Sequence, residues 1–235
     1  MSDSGKRLIN AWTVAQAQAA GADGVPQAAL VVRAAESANA GRIAEAGADL
    51  REALIHCEDM RLLFLGFQFF FRTDDHAQAE ALASRRLEIA QRTGDTEHVA
   101  RACTNLGLVH LATGRLESAQ LLCERALAID EGLGNTHGVA RDLGNLANVF
   151  EARRDFETAE RLNHQSLAIA REIGDEAMAA GKLANLGDIA KATARPSSAG
   201  RFWREAAAAF ARAGELGYAR HYEGLAAAEA GSSPA

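Results

Sequence analysis

The chain has 235 residues and carries 25 Lys and Arg against 31 Asp and Glu, a formal charge of −6. That acidic balance argues against a nucleic-acid binder, which normally has a basic surplus. The 48% apolar share is that of a globular protein, much of it is Ala, and aromatic residues reach only 6%, a composition that favours closely packed helices.

In chain order, residues 1–25 form an N-terminal extension. It lacks the apolar run of a secretory signal. A short amphipathic helix is expected over residues 7–20, using Leu8, Ile9, Trp12 and Val14, with both chain ends disordered. Pro26 opens the first of five expected helical hairpins, over residues 26–57, 59–93, 95–133, 135–173 and 175–213. A capping helix over 216–230 and a tail over 231–235 complete the chain. None of the three prolines interrupts an apolar-periodic run, so long helices are permitted throughout. The most apolar window, Leu62–Phe71, is too short to span a bilayer. Three cysteines without framework spacing fit a reducing compartment, and the expected location is cytoplasmic.

The hairpin assignment rests on a period of 40 residues. Gly94, Gly134, Gly174 and Gly214 recur at that spacing, each followed by Asp95, Asn135, Asp175 or Glu215. The glycine supplies a left-handed residue that ends one helix, and the Asp or Asn caps the next; Glu215 is a poor cap. Asn-Leu-Gly or Asn-Leu-Ala follows at Asn105, Asn145 and Asn185. Ala79, Ala119, Ala159 and Ala199 keep the same spacing. Upstream, Ala40–Leu54 parallels Thr113–Leu127 at an offset of 73, so one connection is shorter.

These units resemble tetratricopeptide repeats, especially the 40-residue kind of kinesin light chains and of the Leu-Gly-Asn-repeat spindle-orientation scaffold. The resemblance is carried by Asn105-Leu106-Gly107, Thr113-Gly114-Arg115, Ala119, Ala126-Leu127, Gly134-Asn135, Asn145-Leu146-Ala147, Ala159, Asn185-Leu186-Gly187, Ala199 and Ala206. It covers roughly residues 26–230. It implies an all-α fold, a right-handed superhelix of stacked hairpins with the first helix of each lining a concave groove. It implies binding of another protein or peptide, by a scaffold or adaptor rather than an enzyme. The alternatives are a ligand-responsive module acting on a separate effector protein and a self-assembling structural repeat. Only about 25 residues precede the repeats, so an effector domain is expected to be absent or on another chain.

Opposite the buried stripe of Cys103, Leu106, Gly107 and His110 lies a second stripe, Arg101, Asn105 and Leu108. Its counterparts are Arg141, Asn145 and Asn148, then Gly181, Asn185 and Asp188; Arg61 falls in the same register at a spacing of 40, or Met60 if Leu65-Gly66 is aligned with Leu106-Gly107. Asparagines offer donors and acceptors to a guest backbone, and arginines suit carboxylates, so a segment bearing Asp or Glu is the expected ligand. The alternative is that the asparagines tie helices together and the arginines form surface ion pairs. If Arg141 is a ligand contact, Arg141→Ala weakens an acidic ligand by roughly 1.5–3 kcal/mol and scarcely changes the melting temperature.

The paired lysines of a chaperone-tail clamp are absent, with Thr104, Gly144 and Ala184 at one relevant register. Phe64, Phe67 and Phe71 are candidates for an apolar patch, or else pack against the first hairpin. Cys103, His110 and Cys123 lie in core registers without metal-ligand spacing, so neither a metal nor another cofactor is expected. Nucleic acid and membrane are excluded as expected partners, while self-association is left open.

Overall fold

The computed structural model describes residues 11–231, which form twelve α-helices and no strand. Leu8, Ile9 and the extreme ends, for which disorder was expected, lie outside the described residues. The chain divides into two compact units, residues 1–114 and 115–235.

In the first unit, α1 (Ala11–Ala22), α2 (Ala28–Asn39), α3 (Ile43–Leu54), α4 (Met60–Arg72), α5 (His76–Thr93) and α6 (Thr96–Ala112) each pack on the next. In the second, α7 (Leu116–Gly132), α8 (Thr136–Ala152), α9 (Phe156–Glu172), α10 (Glu176–Ala192), α11 (Pro196–Arg212) and α12 (Leu216–Gly231) do the same.

The 40-residue period is built into the helix ends. Gly94, Gly134, Gly174 and Gly214 have φ of 71°, 66°, 73° and 80°, the left-handed region open to glycine. The next side chain closes the following helix start: Asp95 accepts from the His98 amide at 3.0 Å, Asn135 from Gly138 at 3.1 Å and Asp175 from Met178 at 2.8 Å. A second left-handed series ends the first helix of each hairpin at Asp74, Gly114, Arg154 and Ala194, again 40 residues apart. That series fixes the upstream register and places Arg61 with Arg101 and Arg141. The helices α3 and α4 have 12 and 13 residues against 17 in each of α7 and α8, so the shorter upstream spacing comes from the helices and not from the segment 55–59 that joins them.

Ala79, Ala119, Ala159 and Ala199 are all fully buried and let paired helices approach closely. Glycines do the same where large side chains arrive. A Cβ on Gly187 would lie 2.3 Å from the Trp203 ring, and one on Gly66 2.2 Å from Leu54. Trp203 belongs to the core of the second unit with Leu167, Leu183, Leu186 and Phe202. In α4, Phe67, Phe69 and Phe70 are buried, with Phe69 close to Gly47 of α3. Phe64, Phe67 and Phe71 form a stacked row with centroid separations of 6.2 and 5.7 Å, Phe64 and Phe71 being half-buried. The extra rings therefore pack largely against the first unit's own helices.

Candidate binding surfaces on α6, α8 and α10

Within the second unit, Arg141 is anchored on both sides. Its Nη2 donates to Asp130 at 2.8 Å and its Nε to Asp142 at 2.9 Å. Both carboxylates are fully buried. Asp130 also accepts from Asn135 Nδ2 at 3.0 Å. Gly138 makes room for it, since a Cβ there would lie 2.0 Å from a carboxylate oxygen. Arg141 is therefore the counter-ion of two buried acids, and its loss acts first on stability.

The asparagines divide. Asn185 donates to Asn148 at 2.9 Å and lies 3.5 Å from the carboxamide oxygen of Asn163, linking α10 to α8 and α9. Asn163, buried in α9, donates in turn to the Ala159 carbonyl at 3.1 Å. Asn145 is half-buried and its side chain makes no hydrogen bond within the described residues. Asp188 is exposed and accepts from the Trp203 indole at 2.9 Å. Desolvation still lifts its carboxyl above the ordinary carboxylate range, with the indole bond opposing the shift. Desolvation, then the charge of Asp188, raises Glu151 of α8 in the same way.

Between α8 and α10 lies a cation that the sequence stripe does not contain. Lys182 projects to Gly144, its ammonium occupying the space a Cβ would fill, 1.9 Å away. Its ammonium has neither a hydrogen-bond acceptor nor an ion partner among the described residues. Desolvation alone pulls its pKa down to about 8. The bare glycine at a position where a clamp lysine is missing is thus the seat of a lysine from the next hairpin.

Within the first unit, the same register looks different. Among the described residues Arg101 pairs only with Glu97 of its own helix, at 2.5 Å, and both side chains are 50% exposed. Such a pair contributes about 0.3–0.5 kcal/mol. Asn105 is buried, and its Nδ2 has no acceptor. Leu108 is half-buried. Arg61, the upstream counterpart, bridges Asp59 at 2.7 Å and Asp23 at 2.6 Å, and these bonds hold its pKa above the ordinary arginine value.

A family model for the tetratricopeptide repeat matches residues 60–132 and 104–172. Residues 60–172 are tetratricopeptide repeats. The chain's fold is accordingly the all-α repeat solenoid of that family. Several solved structures share that fold. The kinesin light chain repeats of Podosopora anserina match at a TM-score of 0.61 and 17% identity, covering 80% of this chain and 95% of that one. BtubC from P. vanneervenii matches at 0.55 and 21%, covering 83% and 92%. A Rap protein complexed with competence and sporulation factor matches at 0.64 and 14%, covering 88% and 66%. None of the curated proteins matches by sequence.

In this repeat protein, Cys57, Cys103 and Cys123 are buried and not joined in disulfides. Half-buried His110 faces Glu80 of α5 at 3.2 Å rather than a cysteine. No group of three His, Cys, Asp or Glu is arranged to hold a metal ion among the described residues. No helix among them is long and apolar enough to cross a membrane.

Proposed function

We propose that this repeat protein is an adaptor that holds an acidic segment of another protein against the first helices of its hairpins. In the second unit the contact surface is Gly144, Asn145 and Asn148 of α8 with Lys182, Asn185 and Asp188 of α10. Arg101, Asn105 and Leu108 of α6 serve the same purpose in the first unit.

The observation that supports this most is the ammonium of Lys182. It is held over a glycine, partly stripped of water and left without a counter-ion. Evolving such a position for stability alone would favour an apolar side chain, because desolvating an unpaired charge is unfavourable. A guest carboxylate would supply the missing partner. Asn145, unbonded beside it, adds a donor and an acceptor for the guest's backbone. Asp188 and Glu151 lie on the same two helices and would repel an acidic residue there, which gives the surface a direction.

The test is fluorescence anisotropy of a labelled peptide of alternating Glu and Ala. Lys182→Gln is expected to raise Kd about tenfold, or ~1.4 kcal/mol, the loss of one charge-assisted bond. Binding to the wild type should also fall as pH passes upward through the lysine's titration, near or somewhat above 8, because only the ammonium attracts the acid. Equal affinity in both proteins at every pH would rule out this surface.

A further inference from the structure

The first unit contains a second unpaired cation, and it lies outside the α6 stripe. Arg86 of α5 is 4% exposed. Its Nε and Nη1 are sealed from water and have no hydrogen-bond acceptor. The guanidinium lies over the Phe64 ring, 4.8 Å from its centre. A cation–π contact offsets only part of the cost of stripping water from such a group. Burial, then repulsion from Arg101, lowers its pKa to about 10, so it still carries its charge at neutral pH.

The neighbouring helix α6 adds a donor at the same level. The contact between Glu80 and His110 sets the antiparallel register of α5 against α6. Six residues along each helix from that contact, Arg86 comes level with Thr104 and Asn105. Thr104 donates its hydroxyl to the Ala100 carbonyl, which leaves the buried, acceptor-less Nδ2 of Asn105 beside the guanidinium's level. Arg101, one turn away on α6, is half exposed and marks the solvent side.

The repeat register shows that this charge is an addition. The positions 40, 80 and 120 residues downstream of Arg86 are Ala126, Ser166 and Ala206. Ser166 satisfies itself on the Ala140 carbonyl at 2.6 Å. The register also shows what is missing. The positions matching Asp130 and Asp142, which neutralise Arg141, are Ala90 and Ala102. Asn163, which faces Asn185 in the second unit, is matched by Ala83 opposite Asn105. The first unit thus keeps two cations and an amide and omits the two carboxylates that serve Arg141 and the carboxamide of Asn163, while the position matching Asn148 keeps an amide, Gln68.

We infer that Arg86, Arg101 and Asn105 form an oxyanion site in the first unit, which takes a carboxylate or phosphate group. Two guanidinium forks and an amide provide several convergent donors for a ligand with two or more oxygens. The inference does not depend on the peptide reading above, because a free anion would complete the site as well as a guest side chain.

The test is thermal unfolding of the full chain in inorganic phosphate against chloride at equal ionic strength. Phosphate should raise the wild-type Tm by about 2 °C or more. Arg86→Met should start about 3–6 °C higher, because an apolar side chain replaces the unpaired charge, and should lose the phosphate response. Arg101→Gln, a change on the exposed side, should keep the fold and reduce the response. It provides the readout if Arg86→Met does not fold. An equal phosphate increment in wild type and Arg101→Gln, or in wild type and Arg86→Met, would overturn the site. A Glu-Ala peptide at matched carboxylate concentration separates the sources. A larger shift than acetate gives points to a partner's acidic side chain in the site, and an equal shift to a free anion. Neither depends on Lys182, so Lys182→Gln should leave the phosphate response intact even if the adaptor surface on α8 and α10 is wrong.

Discussion

Arg101 and Arg141 occupy one register position, 40 residues apart, in two different units. Their surroundings are opposite. Arg141 is clasped by two fully buried carboxylates, while Arg101 has a single exposed glutamate on its own helix. Arg61, a further 40 residues upstream, is held by Asp23 and Asp59. Three arginines that read alike in the sequence therefore have two roles. Two fasten neighbouring segments, and one is presented. The asparagines divide along the same line: Asn185 is bonded to neighbouring helices, while Asn105 keeps an unused donor. Within a repeat, what a residue does is decided by whether the neighbouring helix supplies its counter-group.

The largest expected effect breaks that comparison at its structural end. Arg141→Ala strands two buried aspartates and should destabilise the protein by about 3–5 kcal/mol, whereas Arg101→Ala should cost under about 0.5 kcal/mol. Chemical denaturation of both variants measures the difference. Similar losses would show that the two positions are equivalent after all.

A graft sharpens the contrast. Ala90→Asp and Ala102→Asp would give Arg101 the acids that Arg141 has, but the niche must be opened as well. The counterpart of Gly138 is His98, and a Cβ at that position meets the carboxylate. The triple variant with His98→Gly is therefore expected to lock Arg101 and weaken the phosphate response. It should also weaken binding of an acidic peptide by about tenfold, or ~1.4 kcal/mol. Calorimetric titration of the folded variant would show whether the affinity falls.

The smallest effect concerns the turns. Ala194 has φ of 55° where its counterpart Gly114 has 75°. Ala194→Gly should relieve left-handed strain and raise stability by about 0.5 kcal/mol after the glycine's entropy cost, readable as a small rise in denaturation midpoint.

The fold was legible because its signals are local and repeated. A glycine at the end of four hairpins, an Asp or Asn after three of these glycines and an alanine in the close approaches recur in register, so each copy reinforces the others. The site was legible only in part. The stripe on α6, α8 and α10 picked out Asn145 and Arg101, whose side chains are not committed to neighbouring helices. It also included Arg141, because Asp130 lies at the end of the preceding helix and no local spacing reveals their pairing. Lys182 was missed because its seat is an absence, the bare Cα of Gly144 one hairpin earlier. Arg86 did leave a signal: a lone arginine aligned with Ala126, Ser166 and Ala206. A substitution of that kind in an alanine register is where repeat alignment departs from the packing rule, and it marks the place to look for a ligand.

The most direct measurement is a titration of the Glu-Ala peptide into isotopically labelled protein, followed by NMR at the side-chain amides of Asn105 and Asn145 and the ammonium of Lys182. The account predicts that these groups shift with the bound fraction, while the amide of Asn163, buried and bonded inside the second unit, moves far less. Saturable binding that leaves Asn105, Asn145 and Lys182 unmoved, with shifts confined to other helices, would contradict it.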